Sequence, residues 1–316
     1  MRAKGTDAPA STSRGRGKTR KEWERIVAGV RGQVTYGAPL GPYTSFRIGG
    51  PADVLVEPAD VEDVRHLAAQ ANAAGVPIFV VGGTNLLIRD GGVRGIVLSL
   101  SKLKLMRQEP GDVLYAEAGV GMPTLISYAI RRSLSGLEWG AGIPGTVGGC
   151  VVMNAGTRLG EMKDSLKAVR LVAPDGEIID LPAAKIPFSY RRAHLPPGIV
   201  VGVWMQLRPG MHDTIERTVK DYLQYRKETQ PLTQPSAGCV FKNPPGESAG
   251  RLIESLGLKG ARIGDVQVSE RHANFMVNLG QARAKDVLAL IKKVRAAVKK
   301  KAGVTLELEL KVVGTA

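Results

Sequence analysis

The segment PSAGCVFKNP, Pro235 to Pro244, sets one of the chain's two cysteines, Cys239, beside Gly238, Lys242 and Asn243. A thiol has three chemical uses in such a place. It can pack as a small apolar group, as most free cysteines do. It can exchange disulfides, which wants a resolving partner. It can also hand a proton to a substrate, because a thiol with the ordinary pKa of about 8.5 is mostly protonated at neutral pH. Cys150 lies in a separate glycine-rich segment with no C-x-x-C spacing, which argues against the redox use. Residue type alone leaves packing and proton donation open.

Two glycine loops offer a second kind of chemistry. VVGGTNLLIRDGG runs a strand into Gly82, Gly83, Thr84, Asn85 and Leu86, and GAGIPGTVGGCVVMNAG packs Gly140, Gly142, Gly145, Gly148 and Gly149 around Ile143, Pro144 and Thr146. Successive N–H groups in such loops can curl around an anionic oxygen, and Thr84 and Asn85 add side-chain donors. One loop alone would read as a tight turn. Two together are consistent with a pyrophosphate cofactor. Neither carries the Gly-Lys-Ser/Thr of an ATPase loop nor a convincing G-x-G-x-x-G, so an ATPase and a nicotinamide-type fold are not supported.

Composition limits the classes. The 316 residues are 43% hydrophobic and 23% charged, ordinary for a globular protein with a substantial core. No apolar run approaches the roughly 20 residues of a membrane span, and the N-terminus has no apolar signal core, so membrane insertion is not expected. Two cysteines suit a reducing cytoplasm. The formal charge is +15, and Met1 to Arg25 holds eight Lys/Arg against three Asp/Glu, which reads as a disordered basic tail over 1–25. The rest of the excess suits anionic substrates. With aromatics at 5% and no stacking pattern, a nucleic-acid partner is not expected.

The elements that must position these residues alternate between strands and helices. Val61, Val64, Leu67, Ala68 and Ala71 form one helical face stopped at Gly75, and Pro123 to Gly136 reads as a second helix. AVRLVAPDGEIIDL is a hairpin around Pro174-Asp175-Gly176. His212 to Gln230 and Ala284 to Gly303 read as long amphipathic helices, and Ser248 and Gly257 as the caps of a short one. TLELELKVV closes the chain as an alternating strand with Glu307 and Glu309 on one face. A texture change near Gly210 divides a glycine-rich region, 26–210, from a C-terminal region, 211–316, with the site expected at their junction.

Seven segments in order, YTSFRIGGPA, VVGGTNLLIRD, GLEWGAGIPGTVGGCVVMNAG, FSYRRAHL, PSAGCVFKNP, SAGRLIESLGLKG and VSERHANFMVN, resemble the UDP-N-acetylenolpyruvoylglucosamine reductase family (UDP-N-acetylmuramate dehydrogenase). The resemblance runs from about Pro39 to Gly314. It implies an α+β protein with the FAD-binding fold of the p-cresol methylhydroxylase/vanillyl-alcohol oxidase type, in two α+β subdomains, plus a C-terminal α+β substrate-binding domain. It implies the shorter form of the family, without the inserted tyrosine loop. The implied reaction takes hydride from NADPH through FAD to the enolpyruvyl group of UDP-N-acetylglucosamine enolpyruvate, forming UDP-N-acetylmuramate for peptidoglycan. A cytoplasmic monomer is expected, with no metal.

By the same resemblance, Arg191 is the arginine of the Tyr-Arg motif, with Arg192 its rival and Ala193 where the family often has a serine. Glu309 is the family's glutamate, five residues before Gly314, although alternation alone does not separate it from Glu307. Cys239 stands where the family most often has the serine that protonates the enolate carbon, which selects the proton-donor use and predicts sensitivity to thiol alkylation. The loops, with Arg47, Leu86 and Thr146, are expected to hold FAD. Tyr190, Arg226, Lys242 and Asn243 are expected on the substrate. His66 sits inside a helix pattern away from the loops, so the flavin is expected to be non-covalent. The rival readings are another FAD oxidoreductase of this fold, acting on an alcohol or hydroxy acid, and a basic non-enzymatic binding protein.

Overall fold

The computed structural model describes residues 18–316. The expected tail over 1–17 lies outside the described residues. Its last part is ordered: α1 spans Arg20–Ile26, opened by a reciprocal capping box between Thr19 and Glu22. Trp23 and Ile26 are buried in the main core, so burial of this helix overrides the basic composition that suggested disorder.

The first sheet is built from β1 (Gln33–Tyr36), β2 (Ala52–Glu57), β3 (Ile78–Val81) and a further strand, Val93–Ser99, in the order β1, β2, Val93–Ser99, β3. The last three strands run parallel, joined through α2 (Val61–Ala73). Val54, Leu55, Val56, Ile96, Val97 and Leu98 are therefore buried on both faces, as parallel strands require. Between β3 and Val93–Ser99 lies β4 (Leu86–Ile88), and Val93–Ser99 is accordingly β5.

The second sheet is antiparallel throughout. It contains β6 (Met106–Glu109), β7 (Val113–Glu117), β8 (Leu166–Val172), β9 (Ile178–Pro182) and β10 (Ile199–Gln206), ordered β9, β8, β10, β7, β6. The Pro174-Asp175-Gly176 turn joins β8 to β9 as its residues require, with Gly176 at φ 89°. α3 (Met122–Ile130) and α4 (Val147–Val152) pack into the same core. α3 is shorter than the sequence suggests. The chain reverses at Ser133, φ 52°, and Leu134 and Ser135 leave to pair with Pro209 and Arg208.

α5 (His212–Thr229) also belongs to this first body, because Val219 and Tyr222 are buried in its core. The break expected near Gly210 thus falls after α5 in the packing. The C-terminal body is an antiparallel sheet of β11 (Ser236–Cys239), β12 (Arg262–Ile263), β13 (Val266–Val268) and β14 (Phe275–Asn278), ordered β11, β14, β13, β12. It is covered by α6 (Ala249–Ser255) and α7 (Ala284–Ala302), whose Val287, Leu290, Ile291, Val294 and Val298 are all buried.

The end of the chain departs from the expected single strand. Only β15 (Lys311–Val313) pairs, parallel to β4, and Leu308 makes one isolated bridge to Phe241. β4 serves both bodies: Leu87 lies in the C-terminal core, and Leu86 and Ile88 lie in a third cluster beneath the first sheet. Among the described residues, no helix is long and apolar enough to cross a membrane.

Candidate active site

β3 aims the first glycine loop at the second. Thr146 N and Thr146 Oγ1 each donate to Gly82 O at 3.3 Å. Thr146 Oγ1 also accepts from Gly149 N at 3.3 Å, capping α4. This approach requires glycine at 149, where a Cβ would stand 3.0 Å from Gly82 O. Ser45 Oγ donates to Thr84 O at 2.9 Å and steadies the loop from a third side.

The loops open on a cavity of about 840 Å³, a size typical of cofactor and ligand sites. Among the described residues, the N–H groups of Gly83, Thr84, Asn85 and Gly145 have no hydrogen-bond acceptor, although all four residues line this cavity. Unpaired backbone donors converging on a cavity suit an anionic group. A flavin dinucleotide, with its pyrophosphate, fits that donor set. Arg47 lines the same wall with a left-handed backbone, φ 53°.

The opposite wall carries the charged groups. Arg191, also left-handed at φ 59°, donates from Nε to Glu309 Oε1 at 3.0 Å. Strain at a non-glycine residue of this kind persists where surrounding structure over-determines it. Glu309 is held by its backbone: its N–H donates to Val240 O at 2.9 Å, and its carbonyl accepts from Asn85 Nδ2 at 3.1 Å. Burial pushes the Glu309 carboxyl above its ordinary range, against the pull of Arg191 and Lys242.

Glu307, in contrast, points outward, 74% exposed, and pairs with Lys242 at 3.3 Å. Regular alternation would have put the two glutamates on one face. With no continuous ladder here, the backbone rotates between them and only Glu309 enters the cavity.

Cys239 lines the cavity beside this pair. Burial first, and then the Glu309 carboxylate, push its thiol up to about 12, while Arg191, Arg226 and the nearby Asn274 amide pull the other way. This corrects the expectation of a thiol near 8.5. A thiol so raised holds its proton more firmly, and its alkylation at neutral pH is expected to be slow. Arg226 is buried among the cavity walls, donating to Ala141 O at 2.9 Å and to Gln230 Oε1 at 3.0 and 2.8 Å.

Of the residues singled out in the sequence, Arg47, Gly83, Thr84, Asn85, Gly142, Ile143, Pro144, Gly145, Gly149, Arg191, Arg226, Cys239 and Glu309 share the cavity. Gly82 and Thr146 stitch the loops together from behind. Leu86 is a core residue of β4, only 5% exposed. Tyr190, Lys242 and Asn243 stand outside the lining. Tyr190 is 54% exposed with the Arg191 guanidinium 5.0 Å from its ring centre, and Asn243 Oδ1 accepts from Ala249 N at 3.1 Å. His66 bonds Ala28 O far from the loops. Sequence reasoning missed Arg158, whose guanidinium stacks 4.0 Å from the Tyr225 ring centre at the cavity wall. It also missed Phe275 and Gln234 in the lining. None of these carries a local signal, because their part in the site depends on packing between distant segments.

Residues 230–313 match the family described as UDP-N-acetylenolpyruvoylglucosamine reductase, C-terminal domain, and residues 52–182 match an FAD binding domain. The chain is 46% identical over 293 residues to the UDP-N-acetylenolpyruvoylglucosamine reductase of Anaeromyxobacter dehalogenans, covering 92% of this chain and 89% of that protein. It is 45% identical over 296 residues to UDP-N-acetylenolpyruvoylglucosamine reductase 2 of Symbiobacterium thermophilum, with 92% and 96% covered. The crystal structure of the Thermus caldophilus reductase superposes with a TM-score of 0.77 at 42% identity, covering 90% of this chain and 99% of that one. Fold and sequence agree over nearly the whole length, and the chain belongs to the UDP-N-acetylenolpyruvoylglucosamine reductase family.

Proposed function

We infer that Arg191, Glu309 and Cys239 form the reaction centre for the FAD-dependent reduction of UDP-N-acetylenolpyruvoylglucosamine to UDP-N-acetylmuramate. The observation that carries this reading is their convergence: an arginine–glutamate pair and a thiol share one cavity with two glycine loops rich in unpaired N–H donors. When bound and reduced by NADPH, FAD would supply the hydride that the terminal enolpyruvyl carbon takes up. The loop donors of Gly83, Thr84, Asn85 and Gly145, with Arg47, would hold its pyrophosphate. Gly82, Leu86 and Thr146 act behind them by setting the loops' shape. Attachment is read as non-covalent, since Cys150 beside the loops is buried and His66 on α2 is turned to Ala28 O.

Charge left on the substrate after hydride arrives spreads from the adjacent carbon into the carboxylate. Arg191 meets that carboxylate with a permanently charged fork. Glu309, its carboxyl raised by burial, lies beside the same group and keeps Arg191 in place through the bond to Nε. Cys239 donates its proton to the enolate carbon, and the thiolate left behind is stabilised by Arg191 and Arg226. Lys242 is half exposed and tied only to Glu307. Such a surface pair is weak, so Lys242 is free to swing onto the diphosphate. Asn243, whose amide nitrogen has no partner among the described residues, and Tyr190 bind at the same rim. The enzyme is read as a cytoplasmic monomer, which sedimentation of the purified protein checks.

Anaerobic half-reactions separate the roles. Cys239→Ala should be reduced by NADPH at the normal rate, yet its flavin should be reoxidised by UDP-N-acetylenolpyruvoylglucosamine roughly 100-fold more slowly, the scale of a lost general acid. Cys239→Ser should retain turnover. Normal turnover by the alanine variant would mean the thiol is packing.

A further inference from the structure

Asn274 is 3% exposed and stands at the head of β14. Its side chain closes a two-point clamp on one residue. Phe241 N donates to Oδ1 at 3.0 Å, and Nδ2 donates to Phe241 O at 2.8 Å. Its main-chain carbonyl accepts from Val240 N at 2.8 Å, and Val240 O in turn accepts from Glu309 N at 2.9 Å and Leu310 N at 3.2 Å. Cys239 itself pairs with Phe275, the residue that follows Asn274. Residues 240 and 241 are thus held by Asn274, which fixes the chain directly after Cys239, and Val240 passes that constraint to Glu309.

An unbroken antiparallel ladder would need no such clamp. Here the ladder between β11 and β14 is interrupted: Ser236 pairs with Val277 and Cys239 with Phe275, with a register shift between them and Gly238 at φ 72°. The bulge turns Cys239 toward the cavity and leaves the strand beyond it without regular partners. A short side chain with both an acceptor and two donors can restore them. Asparagine has that inventory, aspartate lacks the donors, and glutamine is one methylene too long for the same two bonds.

We propose that Asn274 is a positioning residue for the protonation step, fixing the Cys239 thiol and the Glu309 carboxyl relative to one another through the Cys239–Phe241 segment. The proposal rests on Cys239 being the proton donor. Asn274 hydrogen-bonds to neither glycine loop directly and reaches Asn85 only through Val240 and Glu309, so hydride entry from NADPH should depend on it far less than protonation does.

The full-length flavoprotein is compared with Asn274→Ala and Asn274→Asp. Flavin reduction by NADPH should stay within about twofold in both. Reoxidation by UDP-N-acetylenolpyruvoylglucosamine should slow by about 100-fold in the alanine variant, the scale of a one-ångström misplacement, and by less in the aspartate variant, which keeps the acceptor to Phe241 N. A second readout needs no turnover: iodoacetamide labelling of Cys239 at pH 9, followed by peptide mapping, should change several-fold in Asn274→Ala, where the clamp on Phe241 no longer fixes the segment that carries the thiol. If the alanine variant loses its flavin, the aspartate variant carries the comparison. Reoxidation within twofold of wild type overturns the proposal. So does equal slowing of both half-reactions with unchanged labelling, since that is general loosening. Cys239→Ala measured alongside tells the failures apart. Normal turnover there removes the acid assignment, whereas a stalled Cys239→Ala beside normal Asn274 variants removes only Asn274.

Discussion

Glu309 is a half-buried carboxylate and Asp63 a buried one, and their surroundings drive them in opposite directions. Burial raises Glu309, and its single guanidinium partner does not offset it. Burial would raise Asp63 too, but the N–H groups of Ala59, Arg31 and Gly32 and the Arg31 guanidinium outweigh it and hold the carboxyl below its ordinary range. The signs follow by linkage. Glu309, with its folded value raised, favours folding most at pH below its unfolded value, and that contribution is lost as pH rises through the folded value. Glu309→Gln keeps the neutral shape, so its melting temperature should fall less than wild type's between pH 5 and pH 8. A parallel decline in both proteins would mean Glu309 is ionised without cost. The segment around Cys239 stood out in the sequence by residue type, but its use as a proton donor and the choice of Arg191 over Arg192 came from family likeness. Glu309 was legible only through family likeness, because its neighbour Glu307 has the same type and the same expected alternation.

At the level of elements, Asp63 shows how one side chain sets a junction. It accepts from Ala59 N at 2.8 Å, Gly32 N at 2.8 Å, Arg31 N at 3.2 Å and Arg31 Nε at 3.0 Å. It thereby fixes the start of α2 against the chain entering β1. Asp63→Ala leaves three backbone donors buried or half-buried, and a loss of roughly 3 kcal/mol in urea unfolding is expected from bonds to a charged acceptor. Asp63 contributes above its unfolded value and loses that contribution as pH falls through the folded one, so the wild type's advantage should shrink below pH 4. The glycine loops make the second case. Gly149→Ala drives a methyl against the Gly82 carbonyl, a backbone atom 3.0 Å away that cannot swing aside. FAD affinity, read by fluorescence titration, should drop at least tenfold while the C-terminal body stays folded. Unchanged affinity would mean the loops tolerate separation. The loops were visible in the sequence as glycine density. The α1 capping box was visible too, as Thr19-x-x-Glu22, but basic composition masked it.

For the whole molecule, the cavity exists because the chain returns. β15 pairs with β4 after more than two hundred residues, Lys311 N donates to Asn85 O at 2.8 Å, and Asn85 Nδ2 donates to Glu309 O. The last strand therefore braces the first glycine loop and delivers the glutamate to it in one stroke. Removing Lys311 to Ala316 should strip this brace. The expected outcome is a protein that emerges from gel filtration with most of its flavin lost, read from the ratio of flavin to protein absorbance. Full flavin retention would show that the loops hold their shape alone.

Local chemistry written in the sequence determined the helices over Val61–Ala73, His212–Thr229 and Ala284–Ala302, the Pro-Asp-Gly hairpin and the two glycine loops, since each depends on neighbours within a few residues. Family likeness extended that to cofactor, substrate and reaction. Tertiary structure alone decided which glutamate enters the site, that α5 packs with the FAD-binding body, and that Cys239 holds its proton up to about 12. Each of these depends on burial and charge contributed by segments far apart in the chain, and a local pattern carries no record of that.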